Sequence, residues 1–261
     1  MNFKEKYGSW AFVAGGSEGM GGAYSDYLAK QGMNVIVSGR HAETVNQKVQ
    51  YLQDTYQVDA LPLVIDLGED DSAKKIMEFT KELEIGFLVY NAGLAYVGYF
   101  KELDPEFELY RLNINVRTPI QLVLHYSKQM AERKRGGIIL MSSTSGTVGS
   151  PYFTTYAATK AYLLNLGESL WAELKEDNVD VISIVPGATI GQSFKEIPVG
   201  TPGFMTGEEV VAEAFQYLGK YPSRMVGQHN IDLHKDVYDA DKRKEMVLKL
   251  QELDAQFLPK E

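Results

Sequence analysis

No cysteine occurs among the 261 residues, which excludes disulfides and thiolate metal ligands and is compatible with a reducing compartment. Histidine is scarce too. His41, His125, His229 and His234 form no H-x-x-x-H pair and have no flanking carboxylate cluster, so no metal site is expected. Positive charge is in deficit, with 26 Lys and Arg against 35 Asp and Glu and a formal net charge of −9. That balance argues against nucleic acid, whose phosphates recruit basic surfaces. Long apolar runs are missing: nothing approaches the ~18 residues needed to cross a bilayer. The opening Met1-Asn2-Phe3-Lys4-Glu5-Lys6 begins no apolar stretch of signal-peptide length. A soluble, cytoplasmic protein is the expectation. Pro/Gly/Ser-rich linkers, internal repeats and low-complexity tracts are also absent, so residues 1–261 are expected to form one domain.

What is present alternates. Apolar runs of strand length occur at 10–14, 34–38, 60–65, 87–90, 137–142 and 179–185. Helix-like segments lie between and after them, at 19–31, 42–57, 70–84, 105–133, 151–177 and 207–219. Strand–helix alternation predicts an α/β fold with a parallel sheet covered on both faces, and hence strands that are apolar on both sides, as Ile138-Ile139-Leu140-Met141 is. In such open sheets ligands bind beyond the carboxyl ends of the strands. Gly15, Ser38 to Arg40, Asp66, Asn91 to Gly93, Ser143 and Pro186-Gly187 all follow strand ends, so they are expected to share one rim.

Two local patterns carry chemistry. The first is Gly15-Gly16-Ser17-Glu18-Gly19-Met20-Gly21-Gly22, between the strand at 10–14 and an amphipathic helix with Gly32 at its C-cap. A strand, a glycine turn and a helix N-terminus together cradle a pyrophosphate, although any tight βα turn also favours glycine. The second is Tyr156 and Lys160, which share a helix face at i and i+4. A neighbouring ammonium favours phenolate, so Lys160 is expected to pull the Tyr156 pKa below its usual ~10 and make it a general acid/base. Tyr238 and Lys242 repeat the spacing in a charge-rich stretch and read as solvated helix residues.

Seven motifs fall in one order: the glycine turn, Asp66-Leu67, Asn91-Ala92-Gly93, Asn115-Val116, Ser142-Ser143, Tyr156-Ala157-Ala158-Thr159-Lys160 and Pro186-Gly187. In this order the chain resembles the short-chain dehydrogenase/reductase family over roughly residues 8 to 190. Within the family, Leu28-Ala29-Lys30-Gln31-Gly32-Met33-Asn34-Val35 is most similar to hydroxysteroid dehydrogenases and ketoacyl reductases. The resemblance implies a Rossmann-type doubly wound parallel sheet in a three-layer α/β/α sandwich.

It also implies roles. Tyr156 exchanges the proton with the carbonyl or alcohol oxygen, Ser143 hydrogen-bonds that oxygen, and Lys160 lowers the Tyr156 pKa and holds the nicotinamide ribose. Asn115 anchors a proton-relaying water, with Asn113 as its rival on another helix face. The cofactor contacts implied are Gly15, Ser17, Glu18, Gly19, Met20, Gly21, Arg40, Asp66, Leu67, Asn91, Ala92, Gly93, Tyr156, Lys160, Pro186, Gly187 and Thr189, with Asp66 at the adenine and Leu67 behind it. No acid occurs at 38–40, and the Arg40 guanidinium suits a 2′-phosphate, so NADP, as NADPH, is expected over NAD, with Glu18 as the dissenting charge. Two departures stand out. Gly191 occupies the place of a usual threonine, for which Thr189 is the available substitute, and Tyr90 precedes Asn91 where a second asparagine is usual.

Each residue has a plainer reading: Ser143 as a loop cap, Asn115 as an ordinary helical asparagine, Tyr156 as one of sixteen tyrosines. Residues 188–206 break the alternation and read as a substrate loop or as a connection without a role. The tail at about 239–258 reads as a helix with Met246, Leu250, Leu253 and Phe257 in one stripe, started by Asp239 or Asp241. The expected activity interconverts a ketone and a secondary alcohol on an apolar small molecule near Leu94, Tyr96, Val97, Tyr152 and Phe194. The alternative is a non-catalytic dinucleotide sensor or scaffold on the same fold. The long amphipathic helices at 105–133 and 151–177 pair subunits in similar proteins, so the resemblance implies a homodimer or homotetramer.

Overall fold

The computed structural model describes residues 2–190, 198, 200, 201, 203–254 and 256. In chain order the elements are α1 (Phe3–Tyr7), β1 (Trp10–Ala14), α2 (Gly19–Lys30), β2 (Asn34–Gly39), α3 (Ala42–Tyr56), β3 (Ala60–Val64), α4 (Ser72–Phe79) and β4 (Ile85–Tyr90). They continue with α5 (Pro105–Leu112), a π turn (Asn113–Arg117), α6 (Thr118–Arg133), β5 (Gly136–Met141), α7 (Thr154–Glu173) and β6 (Val179–Val185). The rest are β7 (Ala188–Thr189), β8 (Phe204–Met205), α8 (Gly207–Tyr217), β9 (Ser223–Met225), α9 (Gln228–His234) and α10 (Ala240–Asp254).

Seven parallel strands stand in the order β3-β2-β1-β4-β5-β6-β9. This is the doubly wound Rossmann-type arrangement, and the winding reverses between β1 and β4. Alternate residues of β1 face opposite layers. Ala11 and Val13 pack with Leu28 of α2 and Val210 and Ala214 of α8, whereas Phe12 and Ala14 pack with Leu122 and Tyr126 of α6. The sheet is therefore buried on both faces, which is why its strands read as unbroken apolar runs. Among the described residues, no helix is long and apolar enough to cross a membrane.

The structure differs from the sequence-based expectation where local signals were weak. The helix expected over 105–133 is interrupted by the π turn. Pro119 contributes no N–H to the carbonyl four residues back, at Asn115, and the widened turn immediately precedes it. α4 ends early, where Thr80 Oγ1 donates to the Ile76 carbonyl (3.0 Å) and shares a hydrogen bond with the Tyr126 hydroxyl (2.8 Å). β9 was not expected. It is only Ser223-Arg224-Met225, and it pairs with Ser183 to Val185 at the sheet edge. The short helices α1 and α9 were likewise missed. β7 pairs with β8, so the two ends of the expected substrate loop are held together. Gly191, Phe194 and Ile197 of that loop lie outside the described residues. In the tail, the Asp239 carboxylate accepts from the Lys242 N–H (2.9 Å) and Tyr238 is exposed. Phe257 lies outside the described residues.

Candidate active site

The glycine turn is shaped by left-handed backbone at two positions and by contacts that leave no room for a side chain at Gly16 and Gly21. Gly15 and Gly19 take left-handed φ values of +70° and +54°. A Cβ on Gly21 would sit 1.8 Å from the Gly15 carbonyl oxygen, so helix α2 starts directly against the turn. Ser25 Oγ ties the turn down by donating to the carbonyls of Gly16 (2.8 Å) and Gly21 (3.2 Å). Across the switch point, Asn91 Nδ2 donates to the Gly15 carbonyl (3.2 Å), and the Ala92 N–H donates to Ala14 (2.9 Å). Asn91 Oδ1 is buried with no hydrogen-bond partner in the protein. An orphan acceptor and a cradle that excludes Cβ atoms, at the N-terminus of α2, fit the phosphates and nicotinamide end of a dinucleotide.

Most of the remaining cofactor candidates lie around this cradle. Ser17 faces Gly39, Glu18 is the N-cap residue of α2, and Met20 meets Thr189 Oγ1 at 3.6 Å and the Gly207 backbone. Pro186 and Gly187 follow β6, and Gly187 packs against the Asn230 amide. Arg40 is exposed beyond β2, and Asp66 is half-buried beyond β3. The Leu67 side chain is 6% exposed and belongs to the apolar core, so its place behind an adenine ring is a core position rather than an open one.

At the neighbouring strand ends the proton-transfer candidates converge. Ser142 and Ser143 point to opposite sides of the β5 exit, as strand alternation requires. Ser142 Oγ donates to the Lys160 carbonyl (2.8 Å), which fixes α7 to the sheet. Ser143 Oγ accepts from the Ser145 N–H (3.2 Å), which caps its loop, and Ser143 lies close enough to Tyr156 to lower the phenol's pKa. Lys160 is 3% exposed; its Nζ donates to the Met141 carbonyl (2.7 Å) and stands 5.6 Å from the Tyr156 ring centroid. Burial pushes the Lys160 pKa down to about 8.

The expected lowering of the Tyr156 pKa by Lys160 is not what the structure gives. Burial pushes the phenol above its ordinary value, and Ser143, not Lys160, opposes the rise. Desolvation outweighs an ammonium that is itself weakened by burial.

Asn115 is fully buried and its amide is committed. Oδ1 accepts from the Leu94 N–H (2.8 Å), while Nδ2 donates to the Leu94 carbonyl (3.1 Å) and Thr159 Oγ1 (3.0 Å). Pro119, four residues on, has no N–H to offer the Asn115 backbone carbonyl. Asn113 points elsewhere and donates to the Gly68 carbonyl (2.8 Å). Two residues were missed by sequence reasoning. Thr159 links Asn115 to the Tyr156 carbonyl, to which its Oγ1 donates (2.7 Å), and Tyr110 donates to Asp66 (2.8 and 2.9 Å). Neither has a local signal: one is a helical threonine, the other one of sixteen tyrosines.

Next along the chain from Ser143, Thr144 and Ser145 line a cavity of about 260 Å³ together with Phe204, Leu233 and Leu250 and the polar side chains of His229, Asn230 and His234. Tyr152 flanks the region at φ +66°, packed against Tyr99 at 5.3 Å. Tyr96 is exposed and packs against Phe107, so it borders the site without being enclosed by it.

Such a rim is that of an oxidoreductase acting on CH–OH groups with a nicotinamide dinucleotide. Residues 9–198 match the family model described as short chain dehydrogenase, and the chain belongs to that family. It is similar to a 7beta-hydroxysteroid dehydrogenase of Mediterraneibacter gnavus, at 36% identity over 237 residues, covering 88% of this chain and 90% of that protein. A 7beta-hydroxysteroid dehydrogenase of Clostridium sardiniense is 34% identical over 256 residues, covering 96% and 97%. A solved 7beta-hydroxysteroid dehydrogenase structure superposes with a TM-score of 0.91 at 33% identity, over 96% of this chain and 99% of that one.

Proposed function

We propose that the chain is an NADP-dependent oxidoreductase that interconverts a ketone and a secondary alcohol on an apolar, steroid-like substrate, with Tyr156 as general acid/base. The observation that carries this reading is the convergence of Ser143, Tyr156 and buried Lys160 at the β5 exit. Lys160 Nζ stands 5.6 Å from the Tyr156 ring centroid, and Ser143 is near enough to act on the phenol. The cofactor, when bound, supplies or accepts the hydride. Ser143 and Tyr156 orient the substrate oxygen, and in reduction Tyr156 gives that oxygen its proton. A phenol held above its ordinary pKa is almost wholly protonated near neutrality, which favours carbonyl reduction there. Oxidation needs the phenolate, which the Lys160 cation favours. Lys160 and the Asn115 carbonyl lead the proton onward toward water.

The cavity at Thr144 and Ser145, with Phe204, Leu233 and Leu250 in its wall, and the two hydroxysteroid relatives support a rigid, apolar substrate. Arg40, exposed beyond β2 with no acid at 38–40, supports NADPH over NADH. Exposed Leu109, Leu112, Leu124 and Tyr162 on α5, α6 and α7 support pairing of subunits as a dimer or tetramer, and the proposed compartment is the cytoplasm. The test is turnover of a ketone panel, with oxo-steroids beside short aliphatic ketones, using NADPH and NADH. Reduction of the steroids with NADPH is the expected result. Dinucleotide binding without turnover of any carbonyl would overturn the catalytic reading in favour of a sensor.

A further inference from the structure

The adenosine end of the rim contains a tyrosine that the family motifs do not account for. Tyr110, in the last turn of α5, donates its hydroxyl to the Asp66 carboxylate at 2.9 Å to Oδ1 and 2.8 Å to Oδ2. Arg40, exposed at the end of β2, lies close enough to the same hydroxyl to oppose the rise in its pKa. The site is shaped to admit this ring: a Cβ on buried Gly68 would lie 2.0 Å from Tyr110 Cε2. Gly68 is fixed in turn. Its N–H donates to Asp66 Oδ1 (2.8 Å), and its carbonyl accepts from Asn113 Nδ2 (2.8 Å). Two half-exposed or exposed side chains of opposite charge thus stand near one neutral hydroxyl, on a helix that belongs to neither strand exit.

We propose that Tyr110 is a positioning residue for the adenosine end of the dinucleotide: its hydroxyl keeps Asp66 and Arg40 apart and aligned, so that Arg40 faces the 2′-phosphate instead of closing onto the carboxylate. The proposal rests on reading Arg40 and Asp66 as adenosine contacts. Asp66 and Arg40 would otherwise neutralise each other directly, and a guanidinium committed to a carboxylate has fewer donors left for a phosphate. Burial and the Asp66 contact together hold the Tyr110 phenol above its ordinary pKa, with Arg40 opposing them, so the hydroxyl remains a donor at neutral pH.

The experiment is calorimetric binding of 2′,5′-ADP and of 5′-ADP to the full chain, unmutated and as Tyr110→Phe, Arg40→Ala and the double variant. Phenylalanine keeps the ring over Gly68 and removes only the hydroxyl. Tyr110→Phe is expected to weaken 2′,5′-ADP by about 2- to 10-fold, and to weaken 5′-ADP less. In the Arg40→Ala background, the 2′,5′-ADP loss is expected to shrink to that of 5′-ADP. In steady state the same change is expected to raise the KM for NADPH more than it lowers kcat. Unchanged affinity for both probes overturns the proposal, as do losses that add independently of Arg40. An unmutated protein that binds the two probes equally sinks the NADP preference itself. Tyr110 is then judged on the 5′-ADP arm alone, where a loss supports its hold on Asp66 and no loss refutes it.

Discussion

At the exit of β5, Ser143 and Tyr156 are half-buried, while the groups behind them are buried and have most of their hydrogen bonds already made within the protein. Lys160, Asn115 and Thr159 are each no more than 3% exposed, and Ser142 ties α7, which carries Lys160 and Thr159, to the sheet. At the exits of β2 and β3, by contrast, Arg40 is exposed, Asp66 is half-buried, and both depend on side chains borrowed from other elements. The difference follows from position. β4 and β5 are covered on both faces, so side chains leaving them are set by helix packing, whereas β3 is the sheet edge, where water competes for every polar contact. Proton transfer needs preorganised distances and belongs at the first end. On the proposed reading, discrimination of the 2′-phosphate belongs at the second, where a single surface charge would decide it.

The largest effect tests the buried end. Tyr156→Phe should cut carbonyl turnover by ~10²–10⁴-fold, because the proton donor is lost while the ring and its packing stay. Dinucleotide affinity, measured by fluorescence quenching, should change little. Tyr238→Phe serves as the control: Tyr238 is 89% exposed, with Lys242 turned to Glu245 at 3.2 Å, and its loss should be silent. Equal behaviour of the two variants would place the reaction at the wrong tyrosine.

This contrast also explains what the sequence made legible. The five inner strands announced themselves because burial on both faces leaves continuous apolar runs, as in Ile138 to Met141. The rim residues were legible because they follow those runs, and Gly15, Asn91, Ser143 and Pro186 are all at strand exits. Edge strand β9 was not, since Ser-Arg-Met pairs on one side only and carries no apolar signal. The direction of the Tyr156 shift was misjudged for a similar reason. Spacing shows that an ammonium is near, but not how deeply both groups are buried, and burial decided the sign. Thr159 and Tyr110 act across 44 positions in sequence, a distance that helical periodicity cannot reach.

A second, smaller effect tests the open end. Replacing Arg40 by Asp should exchange a charge-assisted hydrogen bond for a repulsion and reverse the cofactor preference. The loss with NADPH is expected at ~1.5–3 kcal/mol, roughly one to two decades, chiefly in the KM for cofactor. The measurement is kcat/KM with NADPH and NADH on both proteins. Raised salt should narrow the difference, because an exposed pair is screened. Equal efficiency with the two cofactors before mutation would show that Arg40 faces solvent and that the open end does not select.

The smallest effect returns to the buried end and concerns stability rather than rate. The Lys160 pKa stands at about 8 in the folded chain, against ~10.4 for lysine in an unfolded one. Between those values the unfolded state binds the extra proton, so stability must rise as pH rises through the window. Below pH 8 both states are protonated, and the folded one carries the full penalty of a buried ammonium. From pH 7.5 to 9.5 the gain from this group is about 2 kcal/mol. Lys160→Met keeps the bulk, removes the charge and should erase that share of the slope, so urea unfolding at the two pH values should differ less in the variant than in the parent. The range stops short of pH 10 because Tyr24 and Tyr90, whose phenols burial holds far above their usual pKa, pull stability the other way once unfolded tyrosines ionise. A parent whose stability falls from pH 7.5 to 9.5, with a slope that Lys160→Met leaves unchanged, would mean that Lys160 is solvated after all. The two ends of the rim would then be less different than their burial makes them.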